Sequence, residues 1–174
     1  MQKQRAVAIR SGLSWGIVLV LCELGFGVVI YLLLPGMVGY IRNLDFSMLL
    51  PMITVYLAYL FLLIAIYFMC GMITAKWLTS QPMKSFDIAK MGALSGAIAE
   101  ALRSIVAVPV NIIVYILFPF APPGTSIFSA VLGNAAARLF CGLPIFVILA
   151  AAVAGTAAYI FSMIFFRPET KNAK

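Results

Sequence analysis

From position 50 to position 75 this chain carries no charged side chain, and Leu, Ile, Tyr and Phe fill most of the stretch. As an α-helix at 1.5 Å per residue such a run reaches roughly 39 Å, more than a ~30 Å hydrocarbon core requires. Inside lipid, every backbone N–H and C=O must be satisfied within the segment, which leaves a membrane-crossing helix as the practical fold. Three further apolar stretches, 13–34, 91–118 and 144–166, repeat the pattern. Only 10% of the 174 residues are charged and 64% are hydrophobic. An ordinary soluble domain carries about 25% charge, so nothing is left over for a water-soluble module. The reading is an all-α integral membrane protein with four transmembrane helices in a single polytopic domain, 1–174.

The segment before the last span needs a separate account. From Thr125 to Phe166 a straight helix would reach about 63 Å, twice the core thickness. Gly142-Leu143-Pro144 offers a break, because proline removes a helix hydrogen bond and clashes with the preceding turn. The expectation is a short amphipathic helix over about 126–141, broken from the last span and either interfacial or re-entrant. Ser126, Asn134 and Arg138 fall toward one side of it, and Phe128, Leu132 and Leu139 toward the other. Elsewhere, Pro35-Gly36 should end the first span and Pro109 should kink the third. Ser47 and Ser85 stand where the second and third helices need N-caps, with Asp87 suited to the first turn of the third.

Charge placement gives a direction. The net charge is +7. Its basic residues gather in three places: Lys3, Arg5 and Arg10; Lys76, Lys84 and Lys90; and Arg167, Lys171 and Lys174. With four spans all three groups share one face, so both termini are expected to be cytoplasmic. A fifth crossing would send the basic tail to the opposite side. Trp15 and Trp77 then sit at the cytoplasmic ends of their spans, where aromatic anchors belong. These cations read as topology signals and contacts to membrane lipids, and there is no basic, aromatic-bearing soluble face for a nucleic acid. The N-terminus has the charge pattern of a secretory signal. However, Glu23 interrupts its apolar run and no small-x-small cleavage site follows cleanly, so it is read as a retained anchor. Nothing marks an organelle or a retention signal, which makes a prokaryotic plasma membrane the default location.

Four charges interrupt the apolar runs: Glu23, Glu100, Arg103 and Arg138. A charge at mid-membrane costs on the order of 3 kcal/mol by insertion scales, so each needs a partner or a wet cavity. Two acids and two bases sum to zero, which points to one shared network. The i, i+3 spacing puts Glu100 and Arg103 on the same helix face. Glu23 and Glu100 lie at comparable depth if the first and third spans run the same way, which brings Glu23 within reach of Arg103. Arg138 can join if its short helix dips inward. Asn111 and Asn134 are further candidate polar liners.

Small residues mark the packing faces. Gly92 and Gly96 form a GxxxG pair, and Gly133 with Ala137, and Ala151 with Gly155, repeat the small-xxx-small spacing that lets helix backbones approach. Such faces serve packing within the chain, a homo-oligomer or a hetero-complex with other transmembrane helices.

The absences are informative about chemistry. There is no histidine, which removes imidazole-ligated haem, the usual zinc sites and the commonest general base. Cys22, Cys70 and Cys141 all lie in apolar stretches without a CxxC, so they read as buried small hydrophobes, with no metal or cofactor implied. No HExxH or Walker loop occurs, and an enzyme is not expected. Two functional classes remain. The first is a subunit, assembly factor or scaffold of a larger membrane complex, pairing its intramembrane charges with partner helices. The alternative is a small oligomeric transporter or channel that uses the Glu/Arg network to move a proton, an ion or a small polar solute.

Overall fold

The computed structural model describes residues 2–42, 49–78, 83–117 and 127–165. Among them only Met83 and Lys84 are outside a helix, and no strand occurs. The elements are α1 (Gln2–Arg42), α2 (Leu49–Leu78), α3 (Ser85–Leu117), α4 (Ile127–Ala137), a wide π turn (Arg138–Gly142) and α5 (Leu143–Phe165). Four helical stretches are long and apolar enough to cross a membrane: Gln2–Val29, Ile53–Leu78, Ser85–Val110 and Ala135–Phe165. The large apolar side chains that remain exposed, such as Ile17, Phe61, Ile105 and Ile148, lie along these helices. That arrangement suits a lipid solvent, in which an exposed isoleucine carries no cost.

Three boundaries depart from the sequence expectation. Helix α1 continues through Pro35-Gly36 to Arg42. A proline in a helix interior forfeits one hydrogen bond but does not compel an end, and in long apolar helices it is commonly absorbed. Likewise α3 is continuous past Pro109. At the start of α3, the carbonyl of Lys84 accepts bonds from the Asp87 N–H (2.9 Å) and the Ile88 N–H (3.2 Å), so Lys84 is the capping residue and Ser85 the first helical one. Asp87 does occupy the first turn. Ser47, the turn 119–124 and the tail beyond Phe165 lie outside the described residues.

The expected break at Gly142-Leu143-Pro144 is replaced by a π turn. Ala137 and Leu143, on either side of it, both keep right-handed helical backbone angles. The Leu143 N–H donates to the carbonyl of Arg138, five residues back. Pro144 has no N–H to offer, and its ring would press on the carbonyl four residues earlier in a regular α-helix. Widening one turn relieves that pressure while the helix goes on. The amphipathic piece is therefore joined to the last span, and Ala135–Phe165 is helical throughout.

Helix α3 is the hub. It packs on α1, α2, α4 and α5, whereas among the described residues α1 and α5 make no contact with each other. Glycines let it sit this close. A methyl placed on Gly96 would come within 2.5 Å of the Ala150 carbonyl oxygen, and one on Gly92 would collide with the Ala158 methyl. A methyl on Gly12 would meet Ser95 O at 2.7 Å, and one on Gly16 would meet the Leu102 side chain at 2.8 Å. These contacts pair increasing numbers in α1 with increasing numbers in α3, so those helices are parallel. Opposite trends make α2 and α5 antiparallel to α3. The result is an up-down-up-down arrangement with the N-terminal ends of α1 and α3 beside the C-terminal ends of α2 and α5.

The two expected seams at Gly92/Gly96 and Gly155 lie in this interface, with Gly155 set against Ala93 and Ala89. Ala151, by contrast, lines an open groove between α3 and α5. Gly133 and Ala137 are exposed, and a methyl on Gly133 would meet nothing within 4 Å. That pair makes no seam within the chain, because α4 leans on α3 by another face.

Candidate functional site

The intramembrane charges converge. Arg103, on α3, sends Nε and Nη2 to the two carboxylate oxygens of Glu100, 2.7 Å each, the paired geometry in which guanidinium and carboxylate match best. Its Nη1 reaches across to Glu23 Oε2 on α1 at 2.5 Å and to Tyr59 Oη on α2 at 3.2 Å. Glu100 is completely buried and Arg103 nearly so. Glu100 also accepts from the Tyr67 hydroxyl and, at 2.9 Å, from Ser104 Oγ. Glu23 accepts from the Tyr59 hydroxyl. No buried side-chain nitrogen or oxygen among the described residues lacks a hydrogen-bond partner. In a low-dielectric interior that completeness is what makes the arrangement tolerable.

Arg138 supplies the fourth charge from a different position. It stands in the π turn, with its side chain 42% exposed, and donates from Nη1 to Glu23 Oε1 at 3.2 Å. The π turn and α1 make no backbone contact, so this long side chain alone bridges them. Glu23, 11% exposed, is thus shared between two cations, one buried and one open to the surroundings. Aromatic rings close the sides. Phe26 stacks on Tyr59 with centroids 3.9 Å apart, and Phe146 of α5 lies 5.7 Å from the Arg103 guanidinium.

A second polar cluster lies toward the other end of the bundle. The Thr74 hydroxyl is 2.8 Å from Ser11 Oγ, 2.9 Å from Ser95 Oγ and 2.7 Å from the Cys70 carbonyl. The Cys70 thiol donates to Ser95 Oγ at 3.4 Å, and Ser95 donates to the Gly92 carbonyl. All four residues are buried. On α2, Cys70 sits one turn beyond Tyr67, so the hydroxyl cluster adjoins the Tyr67–Glu100 pair. The polar groups therefore form a column between α1, α2 and α3, from Ser11 to Glu23. Measured along α1 that is about 18 Å at 1.5 Å per residue, more than half of a ~30 Å core.

Each of the four charged residues singled out from the sequence takes part in this network. Asn111 and Asn134 fall on α3 and α4, but their side chains lie outside those described. Tyr59, Tyr67, Ser11, Thr74 and Ser95 were not foreseen. Two tyrosines eight apart on one helix, facing acids on its neighbours, were the signal that could have found the first pair. Of the cysteines, Cys70 is buried, with its thiol hydrogen-bonded to Ser95, Cys22 is half-buried and Cys141 is exposed, so the expectation of buried thiols holds for Cys70, in part for Cys22 and not for Cys141. Among the described residues no cluster of His, Cys, Asp or Glu could hold a metal ion.

Fold and site together define an all-helical protein with four membrane-length apolar helices around a charge-balanced polar column. No known family profile, curated protein or solved structure matches the chain.

Proposed function

We propose that this is a small polytopic membrane transporter in which the Glu23–Arg103–Arg138 centre couples the movement of a proton or small ion to a change in ion pairing. The observation that carries this reading is the sharing of Glu23 between a buried and an exposed arginine. A device that only fixes helix register needs no half-exposed member. A carboxylate with two competing cations on different elements has two arrangements of similar composition, and a solute or proton that favours one will shift it toward that one. Arg103, held in paired geometry by Glu100, keeps the buried pole in place. The hydroxyl cluster of Ser11, Thr74 and Ser95 adds a second set of polar groups toward the N-terminal ends of α1 and α3.

The alternative of a complex subunit assigned these charges to partner helices. All four pair with one another inside the chain, which favours the transporter reading over one that needs partner helices to neutralise them. In this reading the basic N-terminal ends of α1 and α3 face the cytoplasm, the protein resides in a prokaryotic plasma membrane, and oligomerisation completes any permeation path.

The test is reconstitution into sealed vesicles loaded with a pH-sensitive dye, with an imposed proton or ion gradient. Flux above that of empty vesicles is expected, with a loss of at least tenfold in Glu23→Gln and Arg138→Gln at unchanged helical content. Native mass spectrometry of gently extracted protein is the companion measurement. Absence of wild-type flux together with distinct co-purifying subunits in fixed stoichiometry would overturn the transporter reading in favour of the subunit.

A further inference from the structure

At the end of the bundle where α1 and α3 begin, a cavity of about 520 Å³ opens between Gln4 and Arg5 of α1 and Met83, Lys84, Asp87, Lys90 and Met91 at the start of α3. We propose that it binds the phosphate of an anionic membrane lipid. Three cations and one carboxylate line it, so its walls carry a net positive charge. That carboxylate, Asp87, is engaged by Lys90 at 3.4 Å, and Lys90 also lies 4.6 Å over the Phe86 ring. Arg5 and Lys84, both exposed, approach from α1 and from the residue that caps α3. Convergence of guanidinium and ammonium from separate elements suits a phosphate, which accepts several charge-assisted hydrogen bonds at once.

The location selects a lipid rather than a soluble ligand. The C-terminal end of α2 lies beside this cavity's end of the bundle, and its Trp77 is 44% exposed, as an interfacial anchor would be. Met83 and Met91 give the cavity apolar, adaptable walls. A basic mouth over an apolar wall at headgroup depth fits a phosphodiester followed by glycerol and acyl chains, and basic pockets between helices on the cytoplasmic side hold such headgroups. This inference does not rest on the transporter reading, because no residue of the Glu/Arg centre contributes to it.

The experiment uses the full chain in nanodiscs of phosphatidylcholine, with or without phosphatidylglycerol, and reads lipid retention after exchange into neutral detergent by native mass spectrometry. Wild-type protein should retain phosphatidylglycerol selectively. Each lost cation should weaken retention about fivefold, so Arg5→Gln with Lys84→Gln should weaken it roughly twenty-five-fold. A control of equal charge change outside the cavity, Lys3→Gln with Arg10→Gln, should leave it nearly intact. All four positions are exposed, so helical content and elution volume should match wild type in both variants. Equal loss in the two double variants would overturn the proposal, since diffuse surface charge would then suffice. Inorganic phosphate that displaces the lipid at equal concentration would overturn the lipid assignment and make the site one for a soluble anion.

Discussion

Replacing Arg103 with methionine should damage this protein more than replacing Arg103 and Glu100 together. Arg103 donates two bonds to Glu100, one to Glu23 and one to Tyr59. Arg103→Met leaves two carboxylates facing one cation, the half-exposed Arg138. Glu23 keeps that partner, but Glu100, fully buried, is stranded with only Tyr67 and Ser104. A buried charge robbed of its partner typically costs 3–5 kcal/mol. The deficit of Arg103→Met should therefore be about 3–5 kcal/mol. In Glu100→Leu with Arg103→Met, one acid and one base remain, already paired. That variant should lose about 1–2 kcal/mol, chiefly from the Tyr67 hydroxyl left without its acceptor. The assay is titration of an anionic denaturing detergent into neutral micelles at about pH 7, followed by fluorescence of Trp15 and Trp77. Equal deficits in the single and double variants would refute the compensated-network account.

Four other outcomes follow from the packing. Gly71→Ala puts a methyl into the Ala154 backbone, which cannot retreat, and should cost about 3 kcal/mol in the same assay. Gly133→Ala meets nothing and should be neutral or slightly stabilising through helix propensity. Thr74→Val keeps the shape but leaves Ser11 and Ser95 without a shared hydroxyl, an expected loss of about 1 kcal/mol. Pro144→Ala restores a backbone donor and should let the π turn close to a regular one. Arg138 would then swing about the helix axis, so a double-mutant cycle between Glu23 and Arg138 should show coupling in the wild-type background and none with Pro144→Ala.

Helix number and placement were legible because lipid imposes one demand everywhere: long runs without charge that satisfy their own backbone. The ends of those helices were less legible. Pro35 and Pro144 each looked like a terminator and Pro109 like a kink, since proline's missing N–H and ring clash are local facts readable in any sequence. Whether a helix stops, tolerates the loss or opens a π turn depends on what packs beside it, which is not local. The same limit explains the glycines. Gly92 and Gly96 stood out for their spacing, but Gly12 with Gly16 and Gly71 with Ala75 share it, and only the neighbouring helices show that Gly12, Gly16 and Gly71 too lie at close approaches.

The charged residues were legible for the opposite reason. In an apolar span an ionised side chain is so costly that its position alone demands a partner, and with two acids and two bases the partners had to be one another. Tyrosine makes no such demand, because its ring suits lipid and its hydroxyl can reach an interface. Tyr59 and Tyr67 therefore stayed invisible until α2 was set antiparallel to α1 and α3. The hydroxyl cluster was hidden in the same way, since Ser11, Thr74 and Ser95 can each bond their own helix and only their convergence distinguishes them. A sequence thus announces the groups that cannot be left alone, and the fold decides which tolerant groups complete them. In this chain the tolerant groups extend a network of three ion pairs into a polar column between α1, α2 and α3, with an exposed arginine, Arg138, at one end.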